Sequence, residues 1–265
     1  MIKLIASDVD GTLVKDSKPE IYPEIFPVIR SLKDKGVIMA IASGRQYHSI
    51  ARMFEPVKDD LIFIAENGAH VRCRDQDMSI TKMDKEAVFD MLKSIEAYDN
   101  IDIIVSVPGL TYIKGDNPSF VDLIKNKYRN RVELTDDFYS IKEDIIKFAL
   151  YRKGSIRELG EGEIIPRFKD RCHCCMAGDE WVDFIDFKTD KGNALKTVMD
   201  FFHIKKEEAA AFGDNANDLG MLLAVGESYA VDTAPDEIKE KVKHVCGGFK
   251  DRGVLKVLTE ISKGI

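Results

Sequence analysis

Twice in this sequence a short apolar run ends directly on a carboxylate-rich turn. Residues 4–6 lead through Ser7 into Asp8-Val9-Asp10-Gly11-Thr12, and residues 209–212 lead into Gly213-Asp214-Asn215-Ala216-Asn217-Asp218. Runs this short and apolar suit buried strands of a parallel α/β sheet. Open parallel sheets bind ligands at the carboxyl ends of their strands, so acids at two such ends can converge on one site.

The elements between fit that sheet. Residues 25–35 read as a helix stopped at Gly36, 37–42 as a second strand, 46–54 as a helix ended by Pro56, and 61–65 as a third strand closing on the turn signal Asn67-Gly68. From Lys82 the pattern loosens. A helix is predicted over 85–98, a strand over 101–107 halted by Pro108-Gly109, a helix after Pro118, and strands over 145–151, 171–177 and 181–187. Helix periodicity then resumes over 192–202. We expect one core from 1–82 and 187–265, with 83–186 inserted as a separate layer; no repeat or low-complexity linker marks the joins.

With 45% hydrophobic and 32% charged residues the chain has material for real cores, which excludes global disorder. A net charge of -7 and a pI near 5.4 exclude a general electrostatic grip on nucleic acid. The opening apolar stretch is too short for a signal sequence and no run approaches a membrane span, so a cytoplasmic protein is expected. Five cysteines suit reduced thiols. Cys172 and Cys175 have the gap of a zinc knuckle, but no second such pair exists, and alternating positions on a half-buried strand are the better reading.

The acidic strand ends carry the chemistry. Asp8 and Asp10, two apart, tend to share a side. A carboxylate is already ionised at neutral pH, so Asp8 can attack phosphorus and form an acyl phosphate; Asp10, if its pKa is raised so that it keeps its proton, can protonate the leaving alkoxide and then activate water. An acidic turn is the plain alternative, since Asp-Gly is a common turn pair. Magnesium prefers a few oxygen ligands, which Asp8, the Asp10 carbonyl and Asp214 could supply, with Asp218 and Asn217 holding waters, the metal's surroundings or a lysine in place. The alternative there is a loop capping the next helix. Ser43-Gly44-Arg45 starts a helix, where a hydroxyl and free N–H groups receive an anion and Gly44 permits close approach, though an ordinary cap looks the same. Lys191 opens another helix, where a cation is disfavoured by the dipole; phosphate supplies a reason, and a solvated lysine is the alternative.

These segments, Asp8-Val9-Asp10-Gly11-Thr12-Leu13, Ser43-Gly44-Arg45, Lys191-Gly192 and Gly213-Asp214-Asn215-Ala216-Asn217-Asp218, with Glu66-Asn67-Gly68-Ala69 beside them, together resemble the haloacid dehalogenase superfamily of phosphatases, and the layout resembles its Cof-type, type IIB members. The resemblance implies a Rossmann-like core with an inserted α/β cap of the C2B type. It implies Asp8 as nucleophile, Asp10 as acid/base, Ser43, Gly44, Lys191 and Asn217 on the phosphate, Asp8, Asp10 and Asp214 on Mg2+, and Thr12 and Asp218 in support. The expected activity is hydrolysis of a small phosphorylated metabolite, a sugar phosphate or phosphorylated cofactor, by a monomer or homodimer without nucleic-acid or membrane partners. A phosphosugar mutase and a non-catalytic metabolite-binding regulator are the alternatives; an actual dehalogenase has little use for Asp10 or Asp214. Val231-Asp232-Thr233-Ala234 departs from the family pattern, and Asp232 or Thr233 is expected to cap the helix after Pro235. In the cap, Tyr112, Lys114, Arg152 and Trp181 are better read as packing or surface residues than as specificity residues.

Overall fold

The computed structural model of the chain describes residues 1–15 and 21–264. It divides into two compact units, Met1–Ser79 with Asp190–Ile265, and Ile80–Thr189.

The first unit is built on an eight-stranded sheet. Its strands are Leu4–Asp8 (β1), Ile38–Ala42 (β2), Leu61–Ala65 (β3), His70–Cys73 (β4) and Gln76–Ile80 (β5), then, after the second unit's six, Ala209–Gly213 (β12), Glu227–Val231 (β13) and His244–Cys246 (β14). They lie in the order β14-β13-β12-β1-β2-β3-β4-β5. From β14 to β3 every neighbouring pair is parallel, and β4 turns back antiparallel to β3. Every residue of β1, β3 and β12 is buried, which explains why these strands read as unbroken apolar runs rather than alternating ones. The helix Ile25–Asp34 buries Ile25, Ile29 and Leu32, one stripe at helical spacing.

Strand order decides where a ligand can sit. From β1 the chain moves outward to β2 and β3 on one side, and later returns to the other side with β12, so the order reverses between β1 and β12. Their register runs from Leu4 opposite Ala209 to Ser7 opposite Phe212. Both acidic turns therefore leave the sheet at its carboxyl end, at the switch point between two central strands.

The second unit is a six-stranded sheet of Asp102–Val107 (β6), Leu110–Ile113 (β7), Val132–Leu134 (β8), Lys147–Tyr151 (β9), His173–Met176 (β10) and Trp181–Ile185 (β11), ordered β10-β11-β9-β6-β7-β8. All its neighbours are antiparallel except β7 and β8. On one face Phe148 stacks on Phe184 at 4.2 Å between centroids, in a cluster with Met91, Leu92 and Phe168. On the other, Trp181 packs against Tyr151 at 4.7 Å and Tyr151 stacks on Phe120. Trp181 is thus a packing residue, and buried Tyr112 donates its hydroxyl to Glu143.

Some expected elements shift. The strand expected over 171–177 shortens to His173–Met176, because the N–H groups of Arg171 and Cys172 still bond to the Phe168 carbonyl. Cys172 is buried and Cys174 and Cys175 half-buried, each a free thiol. The helix Asp236–Lys239 starts from Pro235 with no side-chain cap, so neither Asp232 nor Thr233 plays the capping part expected of it. No helix among the described residues is long and apolar enough to cross a membrane.

Candidate active site

Asp8, the last residue of β1, is buried. Its Oδ1 accepts from Lys191 Nζ at 2.6 Å, and the same ammonium donates to Asp218 Oδ1 at 2.6 Å. Lys191 is 1% exposed, the first residue of the helix Lys191–Phe201, whose N-cap Asp190 accepts from the Asn193 N–H. A cation at this helix start is opposed by the dipole; two carboxylates outweigh that effect. The solvated-lysine alternative is ruled out by this burial.

Asp218 has little capacity left. Its Oδ2 accepts the backbone N–H groups of Asp214 at 3.0 Å and Asn215 at 3.1 Å, so it both shapes the turn after β12 and anchors Lys191. Asp214 accepts from the Thr12 hydroxyl at 3.0 Å, which ties the two acidic turns together. Gly11 permits this approach: its φ is +88°, and a Cβ there would lie 2.2 Å from Asp214 Oδ2.

Ligand oxygens of Asp8, Asp214 and Asp218 lie within 4.8 Å of one another, the one such group of His, Cys, Asp or Glu among the described residues. Three carboxylates against one ammonium leave an excess of negative charge. Asp8 Oδ2 is also buried with no hydrogen-bond partner among the described residues. Burial, and then the Asp218 carboxylate, push the Asp8 carboxyl well above the usual carboxylate range, against the pull of Lys191. Burial alone would lower the Lys191 pKa, but Asp218 and Asp8 more than reverse this and raise it. The excess charge and the unsatisfied Asp8 oxygen fit a divalent cation with oxygen ligands. Asp218 joins Asp8 and Asp214 in the acidic cluster with its oxygens engaged by Lys191 and two N–H groups, while the Asp10 ligand expected from the sequence is a backbone carbonyl and lies outside this set of side chains.

The Asp10 carboxylate instead faces Arg45, whose Nε donates to Oδ2 at 2.7 Å and Nη2 to Oδ1 at 2.5 Å. Such a planar two-point pair fixes both partners. Arg45 was legible only as part of a helix start, since nothing in its local sequence names a partner at position 10. Buried Ser43 follows Ala42, which lies level with Asp8 in the β1–β2 register, and its Oγ accepts the Arg45 N–H at 3.1 Å. Gly44 packs against Asn67, and exposed Asn217 donates its side-chain amide to Asn67 Oδ1 at 3.2 Å. The predicted residues thus fall into a tight cluster of Asp8, Thr12, Lys191, Asp214 and Asp218, a separate Asp10–Arg45 pair, and the loops carrying Ser43, Gly44 and Asn217.

A family model described as haloacid dehalogenase-like hydrolase matches residues 5–258. The chain belongs to that family. It is 26% identical to the 5-amino-6-(5-phospho-D-ribitylamino)uracil phosphatase YbjI of Escherichia coli, over 99% of this chain and 97% of that one. It is 25% identical to the 5-amino-6-(5-phospho-D-ribitylamino)uracil phosphatase YitU of Bacillus subtilis, over 97% and 96%. A crystal structure from Eubacterium rectale superposes with a TM-score of 0.90 at 35% identity, over 98% of this chain and 99% of that one. The chain is accordingly a hydrolase acting on phosphate esters, with the fold of this family.

Proposed function

We propose that the protein is a magnesium-dependent phosphatase that hydrolyses small phosphorylated metabolites, sugar phosphates or phosphorylated cofactors, through an aspartyl phosphate on Asp8. The observation that supports this most is Asp8 itself: buried at the sheet's switch point, held through Oδ1 by Lys191, with Oδ2 unsatisfied. An Asp8 oxygen attacks the phosphorus, the bond from phosphorus to the ester oxygen breaks, and the leaving alkoxide takes a proton from the Asp10 carboxyl. Water then attacks the acyl phosphate, Asp10 takes its proton, and the bond between phosphorus and Asp8 breaks to release phosphate. Arg45 holds both Asp10 oxygens in the structure, so these transfers require Arg45 to release one of them first. Lys191 fixes the nucleophile by its bond to Asp8 and adds positive charge beside the transferred group, and Ser43 and the N–H groups near it receive phosphate oxygens.

The Asp8 and Asp214 side chains and the Asp10 carbonyl would hold the metal. When bound, magnesium neutralises phosphate charge and lets an anionic carboxylate approach it. The test is a phosphate-release screen over phosphorylated metabolites, with magnesium and with chelator. 5-Amino-6-(5-phospho-D-ribitylamino)uracil belongs in the panel, because two relatives carry it in their names. Magnesium-dependent release from at least one compound is expected; isomer formation without release, or no turnover across the panel, sinks the reading.

Metal binding has a readout independent of turnover. A carboxyl raised in the native state binds its proton more tightly folded than unfolded, so its contribution to stability falls as pH rises from the ordinary carboxylate range towards its native pKa. A cation on the same oxygen offsets that loss. Magnesium is therefore expected to raise the Tm more at about pH 8 than at about pH 5, where protons compete for the site. A hundredfold excess over its dissociation constant corresponds to about 2.7 kcal/mol. Thermal melts showing an equal shift at both pH values, or none, would count against the site.

A further inference from the structure

We propose that Asn67 is a positioning residue that sets the phosphate-holding loops against one another. The inference rests on reading Ser43, Lys191 and Asn217 as the phosphate side of the site, and deepens that reading.

Glu66 and Asn67 both have left-handed backbones, with φ of 49° and 58°. Two consecutive non-glycine residues in that region are uncommon and persist only where their surroundings hold them. The Glu66 N–H donates to the Arg45 carbonyl at 3.0 Å and the Asn67 N–H to the Ser43 carbonyl at 3.0 Å, so the turn is laced to both ends of Ser43-Gly44-Arg45. On the same loop, a Cβ added at Gly44 would lie 3.1 Å from Asn67 Oδ1. That oxygen also accepts from Asn217 Nδ2, on the turn after β12. The next residue reaches the third loop: Gly68 has φ +104°, and a Cβ there would lie 2.6 Å from the carbonyl of Asp190, which precedes Lys191.

Three successive residues therefore abut the loops bearing Ser43, Lys191 and Asn217. Asparagine suits the middle position, because it tolerates the left-handed backbone and its side-chain oxygen can accept an amide N–H. A carboxamide has two N–H donors. Tying one to Asn67 fixes the plane in which Asn217 offers the other to an anion.

The test uses para-nitrophenyl phosphate as substrate and inorganic phosphate as product inhibitor, with Asn67→Gly, Asn217→Ala and the double variant. Glycine keeps the left-handed backbone and removes the carboxamide. Each single variant is expected to raise the KM and the phosphate inhibition constant roughly tenfold while kcat falls less than about threefold, and the double variant is no worse than either single one. A purely structural role would lower the Tm and the active fraction without this split. Unaltered phosphate inhibition in Asn217→Ala, or effects that multiply in the double variant, overturns the inference even if Asn67→Gly fails to fold. A wild-type protein that releases no phosphate overturns the functional reading, and this inference with it; an active wild type with an unaffected Asn217→Ala overturns this inference alone.

Discussion

Replacing Asp8 with asparagine is expected to abolish phosphate release, by at least about ten-thousandfold, while the protein stays folded. An amide of nearly the same shape keeps the packing at the end of β1 but supplies no anionic oxygen to attack phosphorus. Stability should hold for an electrostatic reason. Lys191 retains Asp218 as its partner, so the substitution strands no buried charge and removes one carboxylate from a cluster that has too many. Without magnesium the Tm is expected to be unchanged or higher than wild type, and the rise caused by magnesium should shrink. Phosphate release, thermal melts and a search for a phosphoryl adduct on the quenched enzyme are the measurements. Turnover near wild type in Asp8→Asn removes the covalent mechanism.

Lys191→Ala carries the largest stability effect. It leaves Asp8 and Asp218 buried with no ammonium between them, and removing one partner of a buried ion pair costs about 3–5 kcal/mol. Asp8, which burial already pushes up, then loses the pull of the ammonium and binds its proton more tightly still in the folded state, so the variant loses stability as pH rises out of the carboxylate range. Its deficit relative to wild type should be greater at about pH 8 than at about pH 5, where the Asp8 carboxyl can be protonated in the folded state. Activity should fall with it, since the same ammonium holds the nucleophile. Urea unfolding at both pH values checks this. A deficit below about 1 kcal/mol, the range of an exposed pair, would mean that Lys191 does not hold the cluster together.

Much of the architecture was legible in the sequence because burial on both faces of a strand leaves an unbroken apolar run. β1, β2, β3 and β12 are short and apolar, and the expected strands lie on them. Strands with little apolar content left no such mark: Gln76–Ile80 is mostly polar and exposed, and Val132–Leu134 is a three-residue edge. At the helix after Pro235, good capping residues were present but the backbone did not place them as caps.

By itself the sequence determined the parallel α/β core and the acids at the ends of two strands, because local hydrophobic patterning and turn chemistry are properties of neighbouring residues. That was enough to mark Asp8, Asp10 and Asp214. Partnerships were decided only by the tertiary structure. Strand order brings β12 beside β1, which sets Asp214 against Gly11 and allows Lys191 to bridge Asp8 and Asp218. The loop after β2 turns Arg45 onto Asp10, a pairing that no local pattern could announce. The physical reason is that a side chain's charge and hydrogen bonds are satisfied by whatever the fold brings near it, and here those partners come from distant parts of the chain.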